Sequence, residues 1–162
     1  MIISAGRKHK GEPAELVVLS DPFYVKQLLD FRNPDGPMPL IRQDFLRLIA
    51  MFDNKKFLTA CRNCLQPAKL LAFYKGTLFH ESWCSSCTPY WLKAYEGRLD
   101  IFCDYISALE YVDDYCFGDR FCYRMIIRNM AKLKGLPDKF GAGEALDFFR
   151  QDYCTSARAV NF

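Results

Sequence analysis

The chain has 162 residues, 51% of them hydrophobic and 15% aromatic, with a formal net charge of +3. That length and composition supply a buried core for one domain or two small ones and exclude a disordered tail. No run approaches the roughly 20 consecutive apolar residues of a membrane span, and Met1-Ile2-Ile3-Ser4-Ala5-Gly6-Arg7 lacks the apolar core of a signal peptide. A cytoplasmic location with reduced thiols is therefore expected, which disfavours disulfides. Charge is uneven along the chain: residues 119–162 carry eight Lys or Arg against five Asp or Glu, and residues 61–118 carry five against seven. Basic ends and an acidic segment after the cysteines suggest distinct faces for distinct partners, or simply a mixed solvated surface.

In chain order, the apolar start and "GRKHKGEPAELVVLS" read as a strand, a basic turn and further extended chain. Asp21-Pro22 then opens a helix, because Asp accepts orphan amide hydrogens at a cap and Pro fits the first helical position. Val25, Leu28 and Leu29 fall on its inner side, with Phe31 near its end, before "RNPDGPMP" breaks the chain. A second helix is predicted through "LIRQDFLRLIAMF", burying Ile41, Phe45, Leu48, Ile49 and Phe52. Next, "AKLLAFYKGTLFHESW" predicts a β-hairpin turning at Lys75-Gly76. Thr88-Pro89 predicts a helix start and Gly97 its end. Further helices are expected across roughly 100–116, 118–134 and 143–154. The fold class expected is α+β, with an N-terminal hairpin–helix unit (1–57), a central four-cysteine finger (58–97) and a C-terminal helical region packing on it (98–162).

Cys61, Cys64, Cys84 and Cys87 form two C-x2-C pairs around a 19-residue spacer. Two intervening residues let a tight knuckle aim both sulfurs at one point. Two such knuckles on a hairpin give a closed tetrahedral thiolate shell, which suits one structural Zn²⁺. Four thiolates around Zn²⁺ leave a formal −2, which Arg62, Lys69 and Lys75 lie near enough in sequence to offset; contact with phosphates is the alternative for these three. Cys103, Cys116, Cys122 and Cys154 read as buried free thiols in apolar helical surroundings.

The hairpin followed by a helix starting at the second knuckle resembles a treble-clef zinc finger over about residues 58–97. Treble clefs serve nucleic-acid binding, protein binding and purely structural roles. At the N-terminus, Lys8, His9, Lys10 and Gly11 followed by Asp21, Pro22, Tyr24 and Val25 resemble a short "KHKG…DP-x-Y" accessory module of some DEDD-type exonucleases and related bacterial and phage proteins. The match covers about residues 5–31. Gln27-Leu28-Leu29 stands where that module usually carries an aromatic, and no exonuclease carboxylate motif accompanies it.

Two basic stretches are the candidate nucleic-acid contacts. Lys8, His9 and Lys10 occupy a glycine-bounded turn that can approach phosphate closely, or a solvated hairpin turn. Arg120, Arg124, Arg128 and Lys132 recur every four residues and form one stripe on a helix, leaving Met125, Ile126, Met130 and Leu133 to the core. A solvated amphipathic face, with internal pairing to Glu110, Asp113 or Asp114, is the alternative. Around the finger, Phe73, Tyr74, Phe79, Trp83, Tyr90 and Trp91 are mostly core, leaving one or two to stack on bases.

His80-Glu81 invites general-base chemistry, yet no nucleophilic triad or phosphate-binding loop accompanies it, and four cysteines deny a metal an open position. The expectation is a non-catalytic zinc protein that binds DNA or RNA as a small subunit of a bacterial or phage nucleoprotein complex, of CRISPR-like or DNA-processing type. The alternative is a protein-interaction adaptor or phage-encoded inhibitor using the acidic 96–114 segment, with a divergent nuclease third.

Overall fold

A computed structural model describes residues 2–3, 8–30, 38–89 and 96–150. Among them lie six helices and a small antiparallel sheet of three strands, an α+β arrangement. The helices are α1 (Ala14–Ser20), α2 (Pro22–Asp30), α3 (Met38–Asn54), α4 (Tyr105–Tyr115), α5 (Arg120–Leu133) and α6 (Ala142–Arg150). The strands are β1 (Leu70–Tyr74), β2 (His80–Trp83) and β3 (Leu99–Phe102), in spatial order β2-β1-β3. No helix among the described residues is long and apolar enough to cross a membrane.

The first correction concerns α1. Ile3 does pair back across the basic turn, its N–H donating to the Glu12 carbonyl at 2.9 Å, but the extended chain expected to follow is a helix. Pro13 starts it, with the Leu16 and Val17 amides donating to its carbonyl. The helix packs against α2, α3, α5 and α6, so Ala14, Val17, Val18 and Leu19 are all buried. A seven-residue helix packed against four others, with Glu15, Leu16 and Ser20 only partly exposed, carries too short a polar stripe to show helical periodicity, and its Val17-Val18-Leu19 run looks like an interior strand.

α2 begins as expected: the Asp21 carboxylate accepts from the Tyr24 amide at 3.2 Å, and Pro22 takes the first helical position. The inner face of α3 buries Ile41, Phe45, Leu48, Ile49 and Phe52, the residues its periodicity selects. The expected helix over 100–116 is shorter. Residues 99–102 form β3, and Asp104, accepting from the Ser107 amide at 2.9 Å, caps α4. Phe31, Tyr90, Trp91, Cys154 and most of the helix expected between Thr88 and Gly97 lie outside the described residues.

The sheet has two different faces. Antiparallel register puts Phe73 opposite His80 and Ala72 opposite Glu81, with Leu71 opposite Phe102 and Ala72 opposite Ile101. Alternation along the pleat therefore sends Leu71, Phe73 and Phe102 into the main core and Ala72, Trp83, Leu99 and Ile101 outward. The main core runs from Ile3 to Phe149, so the two outer segments of the chain share it. One long-range tie within it is the buried Tyr105, whose hydroxyl donates to the Val18 carbonyl at 2.7 Å. The hairpin turn is fixed by Tyr111 on α4, whose single hydroxyl proton is within reach of the carbonyls of both Tyr74 and Thr77, each 2.7 Å away, while Gly76 supplies the left-handed residue (φ 75°) the turn requires.

Asp21 also gathers the basic turn. One carboxylate oxygen accepts from Lys8 and from His9 Nε2, the latter at 2.9 Å, while His9 Nδ1 meets Glu12 at 2.9 Å. Burial pushes the Asp21 carboxyl up, but the bonds from Lys8, His9 and the Tyr24 amide outweigh it and hold the group below its usual range. A carboxylate with a depressed native pKa stabilises the fold above its unfolded pKa and loses that contribution as acid titrates the native group. Asp21→Ala should thus cost about 2 kcal/mol in urea unfolding at neutral pH, from lost cap and charge-assisted bonds together. The deficit relative to the wild type should shrink as the pH falls below about 4.

Candidate metal centre

Both knuckles are built from backbone hydrogen bonds. A short antiparallel pairing, with an isolated bridge between Ala60 and Pro67, leads into the first knuckle, and the Cys61 amide donates to the Gln66 carbonyl at 2.6 Å. The turn closes as the Leu65 amide donates to the Cys61 carbonyl at 3.1 Å. The Arg62 amide donates to the Ser82 carbonyl at 2.8 Å, which ties the first knuckle to β2 just before the second. In the second knuckle, the Cys87 amide donates to the Cys84 carbonyl at 3.3 Å.

The result is convergence. The Sγ atoms of Cys61, Cys64, Cys84 and Cys87 all lie within 4.8 Å of one another, and those of Cys64 and Cys84 are 3.6 Å apart. Four sulfurs at about 2.3 Å from one ion stand about 3.8 Å apart in a tetrahedron. A disulfide needs about 2.05 Å, and all four cysteines are free thiols. The cluster can therefore hold a metal ion, and its all-sulfur donor set suits a soft divalent one. Cys61 and Cys84 are buried on the outward face of the sheet against Ala72 and Trp83, Cys87 is partly buried, and Cys64 is exposed.

The surroundings favour a thiolate at Cys61 and oppose one at Cys64. Burial alone pushes the Cys61 thiol up, yet the amides of Cys84, Cys64 and Asn63 turned toward it hold it down at about 6. At Cys64 the Gln66 amide lowers the thiol, but hydrogen bonding with Cys87 and the other sulfurs pushes it up to about 12. A cation binding the sulfurs must displace the proton that Cys64 holds. Asn63 Nδ2 also donates to Cys87 Sγ at 3.5 Å.

Of the three cations near the cluster in sequence, two are engaged with other side chains. Arg62 pairs with the buried Glu81, which also accepts from the Tyr74 hydroxyl at 3.1 Å. The Lys75 ammonium sits 5.0 Å above the Tyr115 ring, and Lys69 is exposed with no side-chain partner among the described residues. His80 and Glu81 point to opposite faces of β2. His80 stacks on Phe73 at 4.9 Å, and burial lowers its pKa, whereas Glu81 faces Tyr74 and Arg62, so the two form no dyad.

Of the basic turn, Lys8 is clasped by Asp21 and His9 is buried with both ring nitrogens engaged, while Lys10 is exposed without a partner among the described residues. The residues carrying the module resemblance thus touch one another, His9 meeting Tyr24 edge-to-face at 4.7 Å. On α5, Arg120 lies 4.4 Å over the Phe23 ring. Arg128 donates to the Asp138 carbonyl and lies 5.5 Å over Phe140, and Lys132 pairs with the Asp138 carboxylate. Arg124 is exposed and unpartnered among the described residues. Asp113 pairs with Lys26 at 3.2 Å and accepts from Tyr123, so it does not neutralise the stripe. Lys8 and Arg120 both reach the first turn of α2, at Asp21 and Phe23.

Among the expected aromatics, Phe73 and Trp83 are buried and Phe79 is 63% exposed. The sequence reading missed Phe117, fully exposed in a left-handed conformation (φ 55°), and Phe121, 54% exposed. The available signal was position: a large side chain in the tight Cys116-Phe117-Gly118-Asp119 turn before a helix cap has nothing to cover it. Cys103 is a correction too, since it is exposed between β3 and α4 instead of buried in a helix. No protein-family model matches the chain, and no curated protein or solved structure matches it.

Leu65, immediately after the second cysteine of the first knuckle, is left-handed (φ 61°) and 79% exposed. That conformation costs an L-residue about 1–2 kcal/mol, and the exposed side chain returns little packing. Leu65→Gly should raise the stability of the metal-loaded chain by about 1 kcal/mol in urea unfolding. An unchanged or lower midpoint would show that the knuckle is not strained there. Cys84→Ser should remove a ligand from the buried side, abolishing stoichiometric metal binding and lowering the unfolding midpoint.

Proposed function

We propose that this chain is a non-catalytic nucleic-acid-binding protein built around one structural Zn²⁺, held by Cys61, Cys64, Cys84 and Cys87 in a treble-clef-like finger. Zinc is the choice because four thiolates close its tetrahedral shell and leave no position for substrate. The ion then holds the hairpin and both knuckles as one rigid piece and takes no part in chemistry.

The observation that carries the binding role is the N-terminal end of α5. There Arg124, unpartnered among the described residues, stands with exposed Phe117, Phe121 and Arg120. Unpaired bases stack on such rings at about 1–3 kcal/mol each. The guanidinium of Arg120, resting on Phe23, keeps N–H donors for phosphate. Lys10 and Lys8 extend the basic surface from the turn beside the start of α2, and His9, being buried, positions that turn instead of touching ligand. A bacterial or phage nucleoprotein complex is the setting in which such a small subunit fits. The second reading, a protein-interaction adaptor, draws on exposed Phe79 at the hairpin tip and Leu65 on the first knuckle.

A mobility-shift titration across salt concentrations, using single-stranded and duplex DNA and RNA, tests the proposal. Affinity should fall with salt at a slope near −0.7 per phosphate contact on single strands. Reversing Lys10 and Arg124 to Glu together should weaken binding by about tenfold or more. Absence of binding at low salt, or indifference to that double reversal, ends the nucleic-acid reading. One stoichiometric protein recovered without nucleic acid would favour the adaptor.

A further inference from the structure

On another part of the molecule, a cleft of about 490 Å³ opens between the end of α3, the strand leaving the first knuckle, and the turn from β3 into α4. Its lining includes Lys55, Lys56, Lys69 and Lys134 against one carboxylate, Asp53. Phe57, Pro67 and Ala68 make the walls largely apolar, and the volume is that of a small-molecule site.

Lys134 is the unusual member. It is 6% exposed, and its ammonium donates to the carbonyls of Phe52, Asp53 and Lys55 at 2.9, 3.3 and 3.0 Å, closing the C-terminal end of α3. The rings of Phe52 and Phe57 lie 4.8 and 4.7 Å away. Among the described residues no carboxylate stands within ion-pair distance of it; Asp53, the nearest in sequence to these carbonyls, accepts from the Tyr105 amide at 2.8 Å. A helix C-terminus offers about half a negative charge, so a buried cation here remains only partly offset. Its three donors are already used, so it contributes field and not contact. Lys56 and Lys69 are exposed at the rim, with no side-chain partner among the described residues, and can make the contact.

We propose that this cleft binds a small phosphorylated ligand: a phosphate monoester whose oxygens are taken by Lys56 and Lys69 and whose flat apolar part lies against Phe57, Pro67 and the lysine stems. Lys55 turns its ammonium to the Phe148 ring, 4.7 Å away. Lys56 and Lys69 at the rim, with the Lys134 charge behind them, suit a dianion better than a monoanion, and a phosphate monoester carries close to two negative charges at neutral pH. Lysine serves as a point-charge phosphate binder, and its methylene stem lines apolar surface while the head meets the anion. This site and its ligand are separate from the α5 surface.

The test uses the full metal-loaded chain and AMP, adenosine and inorganic phosphate as probes. Calorimetry should show AMP saturating one site per chain, with adenosine and inorganic phosphate each weaker by about tenfold or more. AMP should also slow alkylation of Cys103, the exposed thiol lining the cleft, as mapped by mass spectrometry. Replacing Lys56→Glu and Lys69→Glu together should abolish AMP binding with metal content and thermal midpoint kept, whereas Lys10→Glu with Arg124→Glu should leave it intact. Three outcomes overturn the proposal: no saturable AMP binding, adenosine or phosphate binding as tightly as AMP, or a Lys56/Lys69 variant that still binds. Loss of AMP binding in the Lys10/Arg124 variant also overturns it, by placing the ligand elsewhere.

Discussion

The structure depends on a central strand that must be covered on both faces. Strand β1 has Leu71 and Phe73 in the main core, and the opposite face presents Ala72. Among the described residues, that outward side is shielded by Trp83, Leu99, Ile101 and the cysteine cluster. On the proposed reading a zinc ion locks that cover in place, and structural zinc sites contribute on the order of 10–16 kcal/mol, as large as the whole stability of many domains. The Arg62 amide bond to Ser82 and the Arg62–Glu81 pair hold the first knuckle against the sheet.

The rest of the fold uses charge sparingly and mostly to fasten chain to chain. Asp21 starts α2 while gripping Lys8 and His9, and Lys134 closes α3 from the end of α5. Arg120 and Arg128 lie over aromatic rings. Much of the basic character of the sequence is thereby absorbed into the architecture. Among the cations that stay exposed, Arg120 and Arg124 stand beside bare phenylalanines at the start of α5, and Lys56 and Lys69 rim the cleft. The two proposals rest on these different settings, an open aromatic surface for an extended polyanion and a cleft of about 490 Å³ for a small one.

Much of this was readable where the signal was local. The doubled C-x2-C spacing fixes four ligands because a knuckle needs only its own backbone, and Asp21-Pro22 marks a helix start for the same reason. The face of α3 and the turn at Lys75-Gly76 also follow from short-range pattern. What escaped was set by distant partners. Val17-Val18-Leu19 reads as a strand because α1 is short and packs against four other helices. Residues 99–102 read as helix because nothing in them announces pairing with β1. Whether a cation is engaged is a tertiary fact: His9 and Arg128 have partners, and Lys10 and Arg124 have none among the described residues, although they look equivalent in sequence.

X-ray absorption at the zinc edge, on chain prepared without chelator and with its metal content measured, addresses the central claim most directly. The account predicts one zinc per chain with a shell of four sulfurs at about 2.3 Å. A chain that folds with no metal, or a zinc shell containing nitrogen or oxygen in place of one of the four sulfurs, would contradict it.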